Sequence, residues 1–250
     1  MVCGNILPIY KNKGSVNSPE HYRPITLLSC FGKMFTAVLN TRLTKYTEEY
    51  DAIEACQAGF RKHFSTIDNL FIIQSLIDIL KVQKRKLYCA FIDFKQASDT
   101  VWRKGLWHKL INTNINGKCF RVIQNMYLNI KSRIITAEGT SAFFLCQIGV
   151  RQGESLSPLL FSIYLNDLSN HLRLNGAPGI TCEYADDDIL IYLKSFISLF
   201  ADDTVLFSNN KDDLQITLNS FEQYCDTWHL TVNTNKTKII VFTGGKIQKV

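Results

Sequence analysis

The sequence predicts an α+β fold in which helices cover an antiparallel sheet. The run LYCAFIDF at 87–94 is continuously apolar, which is typical of a short strand buried on both faces. Residues 33–50 and 68–84 carry apolar side chains at helical spacing. The segments SRIITAE and AFFLCQ flank turn formers at 139–141 and indicate a β-hairpin. Helices and strands mixed in this order favour an α+β organisation.

The remaining elements follow from local signals along the chain. Residues 4–30 are rich in turn formers and cations and are expected to form an irregular arm with short strands. Ser157 is a natural N-cap and Pro158 suits a first helical position, so a buried helix is expected to start there. Other predicted elements are helices at about 100–113, 117–129 and 214–228 and a strand at 237–242.

Composition excludes some classes of protein and leaves others open. The chain has 250 residues, 46% of them hydrophobic, which is enough for one large domain or two small ones. Its formal charge of +6 is compatible with a polyanionic partner but is weak support for one. The eight cysteines are scattered without a C-x-x-C pair, so neither a zinc site nor a disulfide framework is expected. No signal peptide or membrane span is recognisable, and an intracellular protein, cytoplasmic or nuclear, is expected.

The tripeptide Ala-Asp-Asp occurs twice, at 185–187 and at 201–203. The first pair follows an alternating, half-exposed strand and is interpreted as a solvated turn that includes Asp188. The second pair lies between the apolar segments ISLF and TVLFS, as at the tip of a hairpin in the middle of a sheet. A strand, a hairpin, a helix and a strand in this order form a split βαβ unit. Such a unit would bring Asp202 and Asp203 beside Asp93.

Three converging carboxylates repel one another unless a divalent cation neutralises them. Two ions held by oxygen ligands about 3.5–4 Å apart can clamp the attacking and leaving oxygens of a phosphoryl transfer. The second pair together with Asp93 is therefore the predicted metal site.

Six blocks spread over nearly the whole chain resemble the reverse transcriptase domain of non-LTR (LINE-type) retrotransposons. They are YRPITLLSCFGKMFTAVLNTRL, QAGFRKHFSTIDNLF, LYCAFIDFKQASDTVWR, GVRQGESLSPLLFSIYLNDL, FADDTVLFS and LTVNTNKTKIIVF. The resemblance implies a polymerase with fingers at about 1–86 and a palm at about 87–250 in a single domain, the thumb being absent. It also implies Mg²⁺, with Mn²⁺ as an alternative, an RNA template, a DNA primer and dNTPs; it indicates no protein partner.

The resemblance further implies roles for individual residues. Asp93, Asp202 and Asp203 match the metal-binding carboxylates, and Lys236 matches a lysine proposed to protonate the departing pyrophosphate. A solvated surface cation is the alternative interpretation of each lysine and arginine. The residues expected to bind the nucleotide are Lys11, Lys13, Arg23, Phe94, Ser98, Gln152 and Gly153.

Ser98 departs from the family pattern because it replaces a bulky aromatic residue that packs against the nucleotide sugar. An aromatic side chain there excludes the 2′-hydroxyl, so Ser98 predicts poor discrimination against ribonucleotides. Drift in a decaying element copy is the alternative explanation. Three functions are therefore open: an active polymerase domain, a catalytically inactive remnant that at most binds nucleic acid, and, less favoured, another two-metal enzyme such as a nuclease.

Overall fold

A computed structural model describes residues 3–186, 189–195, 197–243 and 246–249. The chain forms two compact units, each built from two separate stretches: 1–52 with 98–164, and 53–97 with 165–250. The short helix α3 (Ala97–Thr100) carries the chain from the second unit into the first. The α+β prediction is confirmed. The assignment of fingers to residues before about 87 and palm to those after stays a prediction.

The first unit combines one sheet with four longer helices. Its strands are β1 (Cys3–Tyr10), β2 (Tyr22–Leu27), β4 (Lys131–Thr136), β5 (Gly139–Thr140) and β6 (Phe144–Leu145). Its helices are α1 (Cys30–Glu49), α4 (Arg103–Asn112), α5 (Gly117–Tyr127) and α6 (Ser157–Tyr164), with a 3₁₀ turn at Pro19–His21.

The predicted hairpin is present, since β4 pairs antiparallel with β5 and β6. The predicted irregular arm is more regular than expected. Its strand β1 pairs antiparallel with β2 and parallel with β4, so that Ile6 lies beside Ile134. A partner so distant in sequence leaves no local signal, which explains the difference. The predicted buried helix starts at Ser157, and Ser157 is itself buried.

The second unit contains a five-stranded sheet, a two-stranded sheet and three helices. Its strands are β3 (Leu87–Ile92), β7 (Ile180–Asp186), β8 (Ile189–Ser195), β9 (Ile197–Phe200), β10 (Asp203–Ser208), β11 (Lys238–Thr243) and β12 (Lys246–Lys249). Its helices are α2 (Thr66–Val82), α7 (Leu168–Leu174) and α8 (Lys211–Thr227). The larger sheet has the order β12-β11-β3-β10-β9, which places β3 at its centre.

The larger sheet follows the predicted split βαβ arrangement. The hairpin β9–β10, the helix α8 and the strand β11 come in this order, and β10 and β11 flank β3. Both pairings with β3 are antiparallel. One hydrophobic cluster packs α2 against strands of both sheets, and its buried members are Leu76, Leu80, Leu87, Cys89, Ile180, Cys182 and Phe207.

Ala185 and Asp186 of the first Ala-Asp-Asp lie in the two-stranded sheet, not in the sheet that contains β3. Strand β7 ends at Asp186 and pairs antiparallel with β8, which starts at Ile189. The chain therefore reverses direction between Asp186 and Ile189, and the predicted solvated turn stays a prediction. Asp187 and Asp188 lie outside the described residues.

No helix in the described part of the chain combines the length and the apolar character that crossing a membrane requires.

Candidate active site

The register of the central sheet brings Asp203 and Asp93 to the same end of neighbouring strands. Thr204 of β10 pairs with Ile92 of β3, and Asp203 and Asp93 are the residues directly beyond this pair. The two carboxylates act on each other electrostatically, as does that of Asp202. The three carboxylates therefore lie near enough for their charges to interact, and their role as a metal site stays a prediction.

The other side of Asp93 is occupied by the loop between α8 and β11. Asn233 Nδ2 donates to Asp93 Oδ2 at 2.9 Å, and Lys236 Nζ forms an ion pair with the same oxygen at 3.3 Å. The main chain is fixed as well, since Asn233 N donates to Asp93 O at 2.7 Å and Asp93 N donates to Thr237 Oγ1 at 3.2 Å. These contacts orient the carboxylate, whose Oδ1 has no partner in the described part of the chain.

The pKa of Asp203 is raised above its ordinary value. Burial is the main cause, followed by the negative charges of Asp202 and Asp93, while Lys236 acts in the opposite direction. Burial and like charges both disfavour the ionised form. A cation placed among these carboxylates would remove that penalty.

A buried glutamine fixes the turn that carries Asp202. Ala201 adopts a left-handed conformation with φ of 60°, which is unfavourable for a residue with a Cβ. Gln57 is fully buried, and its Oε1 accepts from Ala201 N at 3.1 Å and Gly59 N at 3.0 Å. Its Nε2 donates to Ala201 O at 3.3 Å. The side chain thus satisfies both main-chain groups of the strained residue.

Position 59, beside the same turn, has no room for a side chain and therefore requires glycine. A Cβ built on Gly59 would lie 2.1 Å from Ala201 N. Two further contacts join this segment to β9, because Ala58 N donates to Leu199 O and Leu199 N donates to Cys56 O, both at 2.9 Å. Residues 56–59 therefore act as a clamp on the hairpin tip, and we refer to them as the turn clamp.

The carboxylates suit a hard divalent cation by their chemistry, because Mg²⁺ prefers oxygen ligands. No group of three or more His, Cys, Asp or Glu side chains among the described residues is already arranged to hold a metal ion. At Asp93, the oxygen Oδ2 already forms an ion pair with Lys236 and accepts a hydrogen bond from Asn233. Binding would require a small rearrangement in which an ion replaces the ammonium as the neighbouring positive charge.

In the first unit, the predicted cations lie on and between β1 and β2. Lys11 and Lys13 belong to the exposed connection, and Arg23 is an exposed residue of β2. Lys11 is tied locally, because its Nζ donates to Glu20 O at 2.8 Å and its main-chain N donates to His21 O at 2.8 Å. Its charge also acts on Asp99.

Gln152 lies against Asp99, a residue that the sequence did not single out. Gln152 Nε2 is 2.8 Å from each carboxylate oxygen of Asp99. Burial raises the pKa of Asp99, while the hydrogen bond from Gln152 and the charge of Lys11 oppose the rise. Two predicted residues, Lys11 and Gln152, thus meet around one carboxylate.

Ser98 and Gly153 lie next to this group. Ser98 is half-buried, and its carbonyl accepts from Val150 N at 2.8 Å. Gly153 is exposed with φ of 95°, and a Cβ there would lie 3.1 Å from Thr26 O. A glycine therefore suits this position for conformational reasons before any ligand is considered.

Phe94 occupies a different environment from the other predicted nucleotide-binding residues. It is 5% exposed, and its ring lies 5.9 Å from that of Phe221 in the core of the second unit. This packing leaves only the main chain of Phe94 for a contact with a nucleotide.

Sequence reasoning missed three residues that organise the candidate site: Gln57, Asp99 and Asn233. Each lies inside a sequence block that carries the family resemblance: QAGF, KQASDT and LTVNTNK. Their roles depend on partners far away in the sequence, such as Ala201 for Gln57. The sequence carries no local signal for these contacts, because the surrounding blocks KQASDT and LTVNTNK are themselves rich in polar residues.

Solved structures with a similar fold support a polymerase-like architecture. The structure of apo telomerase from Candida tropicalis truncated from its C-terminal domain matches with a TM-score of 0.68 at 15% identity, over 100% of this chain and 55% of that one. Telomerase from Candida albicans in complex with a telomeric RNA fragment matches with a TM-score of 0.67 at 14% identity, over 100% of this chain and 46% of that one. At this identity the likeness establishes the fold alone.

The chain belongs to the reverse transcriptase (RNA-dependent DNA polymerase) family, whose model matches residues 9–246. The RNA-directed DNA polymerase from mobile element jockey of Drosophila funebris is 30% identical over 90% of this chain and 24% of that protein. The probable RNA-directed DNA polymerase from transposon BS of Drosophila melanogaster is 30% identical over 95% of this chain and 25% of that protein. The resemblance to non-LTR retrotransposons is confirmed. The chain spans about a quarter of the length of these relatives.

Replacing Gln57 with methionine should destabilise the second unit by at least about 3 kcal/mol. The reason is that the change removes the partners of two buried N–H groups and one carbonyl, each costing about 1–3 kcal/mol when unsatisfied. Chemical denaturation followed by circular dichroism measures the free energy of unfolding. Gln74→Met is the control, because Gln74 is an exposed residue of α2 and its loss should cost less than about 0.5 kcal/mol. Equal stability of the two variants would contradict the stabilising role of Gln57 in the turn clamp.

Proposed function

We propose that the chain is an RNA-directed DNA polymerase domain that extends the 3′-hydroxyl of a DNA primer with dNTPs on an RNA template. The observation that carries the proposal is the register that brings Asp203 and Asp93 to the same end of neighbouring strands in a chain of the reverse transcriptase family. Substrates of this kind are found inside cells, so the proposed location is the cytoplasm or the nucleus.

Asp93, Asp202 and Asp203 are the proposed ligands of two Mg²⁺ ions, for which Mn²⁺ can substitute. Such ions neutralise charge on the phosphate oxygens and favour the deprotonated primer hydroxyl. The protein supplies the orientation of the ligands. Asn233 holds Asp93 Oδ2, which leaves Oδ1 available, and the turn clamp fixes the main chain on which Asp202 lies.

Lys236 is the proposed proton donor to the leaving pyrophosphate. Its side chain is 63% exposed, and its Nζ lies 3.3 Å from Asp93 Oδ2. The ion pair keeps the ammonium beside the carboxylates before a substrate arrives. A positioned acid of this kind contributes about 10²–10⁴-fold to the rate of a proton-dependent step.

The first unit is proposed to bind the incoming nucleotide. Lys11, Lys13 and Arg23 are exposed cations, suited to the triphosphate because ionised donors form strong hydrogen bonds to phosphate oxygens. Gln152, Gly153 and Ser98 are proposed to lie near the base and the sugar. Within the second unit, the main chain of Phe94 is a separate proposed contact for a nucleotide.

Asp203→Asn should lower primer extension on an RNA template with Mg²⁺ by at least about 100-fold. Loss of a residue that merely supports a metal ligand costs about 10–100-fold, and loss of a ligand should cost no less. The matched control is Asp187→Asn, which changes the same position of the other Ala-Asp-Asp and should leave extension unaltered. Gel-resolved extension with equal protein concentrations measures both. Loss only in the Asp187 variant would contradict the proposed site.

Ser98→Phe should raise the preference for dNTPs over rNTPs by restoring a bulky side chain against the sugar. Single-nucleotide incorporation with each substrate gives the two kcat/KM values and their ratio. Ser98→Ala is the control, because it removes the hydroxyl without adding bulk, and its ratio should stay close to that of the natural chain. An equal ratio in the Phe and Ala variants would show that residue 98 does not contact the sugar. That result would favour Ser98 as drift in an inactive copy.

A further inference from the structure

The side-chain amide of Gln152 is fixed by Asp99. Both carboxylate oxygens of Asp99 lie 2.8 Å from Gln152 Nε2. An ionised carboxylate only accepts hydrogen bonds, so the amide nitrogen must face it. The amide oxygen Oε1 is consequently directed away from Asp99, and it has no partner in the described part of the chain. Asp99 therefore determines which end of the Gln152 amide faces a ligand.

The main chain around Asp99 and Gln152 is rigidly connected. Val150 N donates to Ser98 O at 2.8 Å, and Gly149 N donates to Val101 O at 2.9 Å. Gly149 has φ of 79°, and a Cβ there would lie 2.4 Å from Asp99 O, so only glycine permits this approach. The carbonyl of Gln152 itself accepts from Thr26 N at 2.8 Å. Neither partner of the side-chain pair can move far from the other.

The charges nearby favour the orientation with Oε1 directed outward. The ammonium of Lys11 acts on Asp99 and supports its ionised form, as does the hydrogen bond from Gln152. Burial acts in the opposite direction. A side chain that only donates hydrogen bonds in place of Asp99 would instead attract the amide oxygen.

We propose that Asp99 is a positioning residue that makes Gln152 a hydrogen-bond acceptor for the sugar of the incoming nucleotide. The deoxyribose of a dNTP carries one hydroxyl, on C3′, and this hydroxyl is the donor that Oε1 accepts. The proposal rests on the proposed polymerase function. It predicts that the chain selects nucleotides with a 3′-hydroxyl over dideoxynucleotides.

Incorporation of dTTP and of dideoxy-TTP by the complete chain tests the proposal. The natural chain should prefer dTTP on the order of 10- to 100-fold in kcat/KM, because the dideoxy sugar leaves Oε1 unpaired. Asp99→Ala removes the acceptor that fixes Nε2, so the Gln152 amide is no longer held with Oε1 outward and the preference should fall at least severalfold. The change should come from a higher KM for dTTP, with kcat for dideoxy-TTP little altered.

Two variants separate positioning from a general structural effect. Asp226→Asn removes an exposed carboxylate of α8 and should leave the preference unchanged. The double variant Asp99→Asn with Gln152→Glu reverses the hydrogen bond, because the amide introduced at position 99 would donate to one oxygen of the carboxylate introduced at position 152. The other oxygen of that carboxylate stays available as an acceptor. The double variant should regain the preference for dTTP, even though the added negative charge lowers overall activity. A preference that is unchanged in Asp99→Ala would overturn the proposal.

A measurement without catalysis keeps the proposal apart from the polymerase function. In a ¹⁵N-labelled chain, the Gln152 side-chain amide is assigned by its absence in Gln152→Met. Its protons should exchange slowly with solvent and should resemble those of exposed Gln223 after Asp99→Ala. If the natural chain incorporates no nucleotide but the amide responds in this way, the function fails and the positioning stands. An amide that is insensitive to Asp99→Ala overturns the positioning whatever the activity.

Discussion

The central constraint in this protein is that carboxylates that repel each other must be held side by side. Two unit charges about 4 Å apart near a protein surface interact by roughly 4 kcal/mol, a large share of a typical folding free energy. Asp93 and Asp203 cannot separate because β3 and β10 are paired along the sheet from Thr204–Ile92 to Ser208–Tyr88. The hydrophobic cluster around Leu80, Cys89 and Phe207 secures that pairing by burial. The sheet therefore imposes the geometry that the charges oppose.

Two local sets of contacts stabilise this arrangement, one on each side of the carboxylates. The turn clamp stabilises a hairpin tip in which Ala201 has an unfavourable backbone conformation. The side chain of Gln57 forms hydrogen bonds to both the N–H and the carbonyl of Ala201. Asn233 and Lys236 compensate the charge of Asp93 from the loop before β11. Strained backbone and clustered like charges typically persist at functional sites, where the surrounding structure fixes them.

The sequence predicted those parts of the fold and site that depend on local patterns. The buried strand at 87–92, the hairpin with the second Ala-Asp-Asp and the helix after it carry their own signals in apolar spacing and turn residues. The regular structure of strand β1 was not predicted, because its parallel partner β4 is distant in the chain. Phe94 looked available for a nucleotide, yet its ring is buried against Phe221, a contact between segments far apart. Gln57, Asp99 and Asn233 were missed for the same reason, since a polar residue does not reveal its partner.

Diffraction from crystals grown with saturating Mn²⁺ would show whether a metal ion replaces Lys236 as the positive charge beside Asp93. We expect anomalous density about 2.1 Å from carboxylate oxygens of Asp93 and Asp203, with Lys236 Nζ moved away from Asp93 Oδ2. The proposed metal site would be wrong if Asp93 remained paired with Lys236 and no Mn²⁺ were bound to these carboxylates.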